Sequence, residues 1–124
     1  MVTPQLAVTV GAINAALAVI AGAFGAHALR ERLTPALLRA FETGAQYHFY
    51  HALGLIAVAF VLSRWPESAW AGRSFYLMLA GIVLFCGSLY ALALSGVGVL
   101  GAITPLGGAA FIAAWVCLAL AARG

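Results

Sequence analysis

Four stretches of the chain run 19 to 21 residues without a charge: Leu6–Ala26, Gly44–Leu62, Ser74–Leu94 and Thr104–Ala122. About 20 apolar residues make a helix long enough to cross the hydrocarbon core of a bilayer. Apolar residues go around each stretch instead of along one stripe, as expected of helices with lipid outside them. The pattern predicts an all-α integral membrane four-helix bundle, with residues 1–124 forming a single transmembrane domain.

Polar residues punctuate the pattern at its joints. Thr3-Pro4, Thr34-Pro35 and Thr104-Pro105 each offer a Thr to cap a helix and a Pro for its first turn. Trp65-Pro66 ends the second span, because the residue before a proline is pushed out of the helical region. A helix starting at Pro35 enters the second apolar run after nine residues. Residues 35–43 therefore read as a short interfacial amphipathic segment, with Leu37, Leu38, Phe41 and Ala45 on one side. Arg39, Glu42, Thr43, Gln46 and Tyr50 make the polar stripe, and Gly44 is the expected place for a bend.

Composition sharpens this into a statement about solvent. Hydrophobic residues are 65% of the 124 and charged ones 7%, against roughly 25% charged in soluble domains. Only a lipid bilayer can take so much apolar surface. The net charge of +3 arises from six arginines and three glutamates and forms no basic stripe, which argues against nucleic acid as a partner. The first run lacks a basic stretch before it and is longer than a signal-peptide core, so it reads as a span. With four spans, Arg64, Arg73 and Arg123 fall on one side and Arg30, Arg32 and Arg39 on the other. The positive-inside rule is thus balanced. The amino terminus and the uncharged Ser95–Ile103 loop tip the reading towards both termini in the cytoplasm of a bacterium, in its inner membrane. Cys86 and Cys117 stand inside apolar runs with no CxxC spacing and read as small core residues.

Small residues supply the faces on which such helices meet. In the first span these are Gly11, Asn14, Ala18, Gly22 and Gly25; in the third, Gly81 and Ser88; in the fourth, Gly108. Asn14, polar and mid-span, is expected to hydrogen-bond across helices.

The strings GAFGAHAL (Gly22–Leu29), TGAQYHFYHALGL (Thr43–Leu55), GSLYALAL (Gly87–Leu94) and GAITPLGGAAFIAAW (Gly101–Trp115) resemble the domain of unknown function 423 family. These are small bacterial membrane proteins, similar to the eukaryotic transmembrane protein 256. The matching positions are Gly25, His27, Gly44, Tyr47, His51, Ser88, Tyr90, Thr104, Pro105 and Gly108. The resemblance implies a multi-pass membrane protein of about this size and brings no activity with it.

Chemistry in this chain centres on three histidines. His27 closes the first span, while His48 and His51 open the second, so all three are expected at one end and at similar depth. Neutral imidazole is a ligand for zinc, copper or haem iron, making His27, His48 and His51 the metal candidates. Positions three apart on a helix differ by about 60°, however, so His48 and His51 face only partly the same way. The plainer reading puts His51 in the bundle and leaves His27 and His48 at the headgroup boundary. His27, Gln46, Tyr50 and His51 form the candidate ligand-binding set. No catalytic residues emerge, since HExxH and GxSxG are absent and Gly96-x-Gly98-x-x-Gly101 follows no strand.

Three functional classes remain. The first is a non-enzymatic accessory or scaffold protein that packs as a homo-oligomer or with other membrane proteins. The second is a binder of a metal, haem, quinone or lipid headgroup at the histidine end. The third, a small carrier or channel, has less behind it, because no carboxylate stands inside a span.

Overall fold

The computed structural model describes all residues, Met1–Gly124. Four long apolar helices cross it: α1 (Pro4–Leu29), α2 (Pro35–Arg64), α3 (Ala69–Ser95) and α4 (Thr104–Ala121). Thr3 Oγ1 accepts from the Leu6 amide at 3.1 Å and Thr34 Oγ1 from the Leu37 amide at 3.3 Å, so two of the three Thr-Pro starts cap as expected. Thr104 does not. It is already helical, and its hydroxyl lies 2.6 Å from Ser88 Oγ, tying α4 to α3. Trp65 ends α2, and Gly96 ends α3 in the left-handed conformation (φ 72°) that glycine adopts without strain.

Helix α2 is the centre of the molecule. In its most apolar stretch 56% of residues are buried, against 17% for α1, 33% for α3 and 17% for α4. Helix α1 lies antiparallel on one flank of α2, and α3 with α4 packs on the other. Lipid is as apolar as leucine, so burial does not hold these helices together; close packing and hydrogen bonds do. Glycines set the spacing. A Cβ at Gly11 would stand 2.9 Å from the Ala52 carbonyl oxygen of α2. One at Gly25 would meet the Phe41 ring at 2.9 Å, and one at Gly81 the Phe111 ring at 2.3 Å. Ala18 is buried, whereas Gly22 is exposed and has only Ala45 near it.

Two expectations about the helices need correction. Gly44 is no bend: α2 runs unbroken through it, and the absent side chain instead admits the Tyr90 ring, 3.1 Å from where a Cβ would be. Residues 35–43 are continuous with the span as the first turns of α2, as the helix start at Pro35 implies, with Phe41 buried and its ring 5.1 Å from that of Tyr90. The tight α3–α4 contact is made by Gly107, whose Cβ would fall 2.2 Å from the Phe85 nitrogen; at Gly108 the nearest atom is 3.8 Å away. Two π-helical turns interrupt the α-helical pattern, Ile20–Gly25 in α1 and Ile82–Cys86 in α3.

Both termini gather with the α2–α3 connection at one end. Met1 and Val2 lie near Leu62 and Pro66, and Gly124 lies beside Trp65. Arg64 stacks over Trp65 at 5.8 Å and Arg73 over Trp70 at 4.7 Å. These are interfacial aromatics and cations, and they mark where the bilayer stops at that end.

Replacing Gly107 by Ala should destabilise the fold by about 3 kcal/mol, the upper end for overpacking, because the backbone of Phe85 cannot move aside. Gly108→Ala should be neutral or stabilising by up to about 1 kcal/mol. Unfolding in detergent, followed by circular dichroism, measures both.

Candidate functional site

Three residues separate His48 from His51 on α2, and that angular offset sends them into different crevices. His48 enters the crevice shared with α1 and α3. Its Nε2 lies 2.9 Å from Asn14 Oδ1, and its Nδ1 lies 3.0 Å from the Tyr90 hydroxyl. Asn14 Nδ2 donates to the Val10 carbonyl at 2.9 Å, which fixes the amide's orientation. Asn14 Oδ1 must therefore accept, His48 Nε2 carries the proton, and His48 Nδ1 accepts from the Tyr90 O–H. A one-way chain results: Tyr90 to His48, His48 to Asn14, Asn14 to Val10.

His51 turns towards α4. Trp115 Nε1 can only donate, and it donates to His51 Nε2 at 3.1 Å. His51 Nδ1 must then hold the proton, which it gives to the Tyr47 carbonyl at 2.7 Å. The ring lies flat on Phe111, centroids 3.5 Å apart and planes 11° apart. As neutral rings, the form that burial in hydrocarbon favours, the two histidines are opposite tautomers, buried to 7% and 5% exposure. Each of their four ring nitrogens has one hydrogen-bond partner, and no buried polar side-chain atom in the protein lacks one.

This arrangement corrects the sequence-based picture of the site. His48 is a hub inside the bundle and not a headgroup residue. The three histidines do not share a depth. Asn14 sits beside His48, and the thirteen residues from there to His27 are about 20 Å of helix rise. His27 is exposed on the last turns of α1. No three His, Cys, Asp or Glu side chains come together in a set able to hold a metal ion. Gln46 and Tyr50 are exposed and bonded to each other, Nε2 to hydroxyl at 2.6 Å. Of the four candidate ligand-binding residues, only Tyr50 and His51 line the same cavity.

That cavity is a groove of about 520 Å³ between α2, α3 and α4, walled by Tyr47, Tyr50, His51, Phe85, Phe111 and Trp115. Gly108 and Ile112 complete it. Four of its walls (Tyr47, Phe85, Phe111 and Trp115) were not singled out as site residues in the sequence. Nothing in the spacing distinguishes an aromatic that lines a groove from one that packs a core. Asn14 and Tyr90 carried the better signal, as polar groups within apolar runs that need a partner somewhere. On the other flank of α2, Gln46 and Glu42 border a smaller hollow of about 320 Å³ against Ala18 and Gly22 of α1. Elsewhere α3 and α4 are joined by Ser74 Oγ donating to the Ala114 carbonyl at 2.8 Å.

Fold and site together define a polytopic α-helical membrane protein whose buried polar groups are spent on joining its own helices. The sequence agrees with that class. The family described as "Protein of unknown function (DUF423)" matches residues 21–108, and the chain belongs to it. It is 50% identical over 115 residues to the UPF0382 membrane protein YwdK of Bacillus subtilis (strain 168), covering 93% of this chain and 94% of that one. It is 44% identical over 115 residues to a UPF0382 membrane protein of Staphylococcus epidermidis, with 92% of each chain covered. A third, from Staphylococcus saprophyticus, is 42% identical over 114 residues, covering 91% of this chain and 92% of its own. No solved structure matches.

His48→Leu should cost about 1–3 kcal/mol, because Asn14 Oδ1 and the Tyr90 hydroxyl lose their partner. A double-mutant cycle of His48→Leu with Asn14→Val should return a coupling of about 0.6–1.7 kcal/mol, the range of interhelical hydrogen bonds in membranes. Unfolding in detergent of the four proteins gives the cycle; zero coupling would refute the bond.

Proposed function

We propose that this protein is a non-enzymatic accessory component of the bacterial cytoplasmic membrane, packing through its outer helices with a second copy of itself or with another membrane protein. One observation carries the reading. On α1, Ala12 and Ala16 are exposed at a four-residue spacing, flanked by exposed Ile13, Leu17 and Ile20. Small residues at that spacing let another helix approach closely, and α2 does not use them. The polar groups of the core, being bonded to one another, leave the surface helices as the part of the molecule able to meet a partner.

A second reading, a holder of a lipophilic ligand, is favoured by the aromatic groove beside His51. The metal and haem versions of that reading lose support, because His48 and His51 have both nitrogens bonded.

We infer further that both termini lie in the cytoplasm. An even number of spans puts them on one side, and the opposite Ser95–Ile103 loop carries no charge.

Crosslinking in native membranes tests the packing reading. Ala16→Cys should give a disulfide-linked species in the membrane, with the buried Cys86 and Cys117 silent as background. Ala16→Phe should abolish association while leaving thermal unfolding unchanged. Recovery of nothing but monomer, before and after gentle solubilisation, would overturn it. For orientation, a fluorescent-protein fusion at Gly124 should fluoresce and an alkaline phosphatase fusion there should be inactive.

A further inference from the structure

The groove between α2, α3 and α4 has two properties that the packing of the bundle does not require. First, its walls are nearly all aromatic: the His51 ring laid on Phe111 is the buried floor, and the rings of Tyr47, Tyr50 and Trp115 are exposed around it. Tyr47 lies one turn before His51 on α2, its ring 6.0 Å from that of His51, 4.7 Å from Phe85 and 5.7 Å from Tyr50 by centroid. Second, two phenol hydroxyls at this groove have bonding capacity left over. Tyr47 is engaged through its carbonyl, and its hydroxyl pairs with nothing in the chain. The Tyr50 oxygen accepts from Gln46, which leaves its O–H free to donate. His51 and Trp115, by contrast, have donors and acceptors fully spent on each other and on the Tyr47 carbonyl. They can act only as flat walls.

Location decides what can reach these donors. His51 and Trp115 lie in the middle part of α2 and α4, so the groove opens within the membrane. An occupant must arrive from the lipid phase. A hydroxyl in hydrocarbon without a partner is costly, so the donors call for acceptor oxygens. The walls call for a flat ring. No Arg, Lys or other cation lines the groove, which leaves a phosphate headgroup with nothing to neutralise it. Phe85 also belongs to the π-helical turn Ile82–Cys86, and single π turns inside α-helices are frequent where a helix contributes to a functional site.

We propose that this groove binds a lipid-soluble quinone, its ring against the exposed rings of Tyr47, Tyr50 and Trp115 and its carbonyl oxygens accepting from the hydroxyls of Tyr47 and Tyr50. The proposal rests on the ligand-holder reading and names its ligand. Binding is the whole of the claim, since no group at the groove has a proton or electron to spare beyond those two hydroxyls.

The test uses the full chain in lipid nanodiscs, with Trp65→Phe and Trp70→Phe so that Trp115 is the sole indole. The probe is a short-chain prenylated 1,4-naphthoquinone, a quencher of indole fluorescence. Quenching of Trp115 should saturate at one quinone per protein. Tyr47→Phe with Tyr50→Phe should weaken the affinity about tenfold or more, since two hydrogen bonds are lost while the rings stay. Gly108→Leu should abolish saturable quenching, because the added side chain fills the groove with its Cβ in ordinary contact with Phe85 (3.8 Å). Tyr76→Phe, at the other end of α3, should change nothing. Circular dichroism on each variant confirms the fold.

Quenching that grows linearly with probe and ignores Gly108→Leu is partitioning into lipid, and it overturns the proposal. So does a saturable effect that survives loss of both hydroxyls unchanged. A parallel arm replaces the quinone by a phospholipid brominated on its acyl chains. Saturable quenching by that lipid, sensitive to Gly108→Leu, with none by the quinone, keeps the groove as a ligand site and sinks the quinone. Failure of both probes removes the ligand-holder reading itself.

Discussion

A ring nitrogen in hydrocarbon has no water to fall back on, and α2 carries four of them. That single constraint orders the bundle. His48 can be satisfied only if α1 brings Asn14 and α3 brings Tyr90 to its two sides. His51 can be satisfied only if α4 brings Trp115. Each of the other three helices therefore owes α2 one side chain at one height and one rotation. Van der Waals packing between apolar helices tolerates sliding; directional bonds at both nitrogens do not. The glycines then make those distances reachable: Gly11 lets α1 close on Ala52, and Gly107 lets α4 press on the backbone of Phe85.

Because the core consumes its own polarity, its chemistry is quiet. Both imidazoles are committed, the cysteines are buried and unpaired, and between α3 and α4 Ser88 pairs with Thr104 while Ser74 donates to the Ala114 carbonyl. Reactivity is left to the rim: phenol hydroxyls at the aromatic groove, and a strip of alanines on α1. The surface that the bundle turns outward is apolar and suited to lipid.

Much of this was legible in the sequence, and the boundary of legibility is physical. Span count, the capping by Thr3 and Thr34 and the stop at Trp65 depend on residues adjacent in the chain, and local chemistry suffices for them. The depth of His27 relative to His48 depends on the register of α1 against α2, which two residues at opposite ends of a loop do not encode. His48 looked like a headgroup residue because it begins an apolar run. The helix around it starts at Pro35, as the Thr34-Pro35 cap already implied, and places it near the middle. The choice between Gly107 and Gly108 is a rotation of about 100°, finer than a pattern of small residues can resolve.

The π turns in α1 and α3 carry a consequence for how these helices can change. Each holds one residue more than α-helical periodicity accommodates, so each is a phase slip that rotates everything beyond it. In α3 the groups beyond the slip include Ser88 and Tyr90, whose bonds reach α4 and α2 in different directions. Loss of one residue between Ile82 and Cys86 would leave both side chains in place, but rewinding that turn as α-helix with every residue kept would swing them about 100° away from their partners. Such a rewinding would thus disconnect α3 from two neighbours at once, and the irregular turn is the setting at which the two halves of the helix are in time with the rest of the bundle.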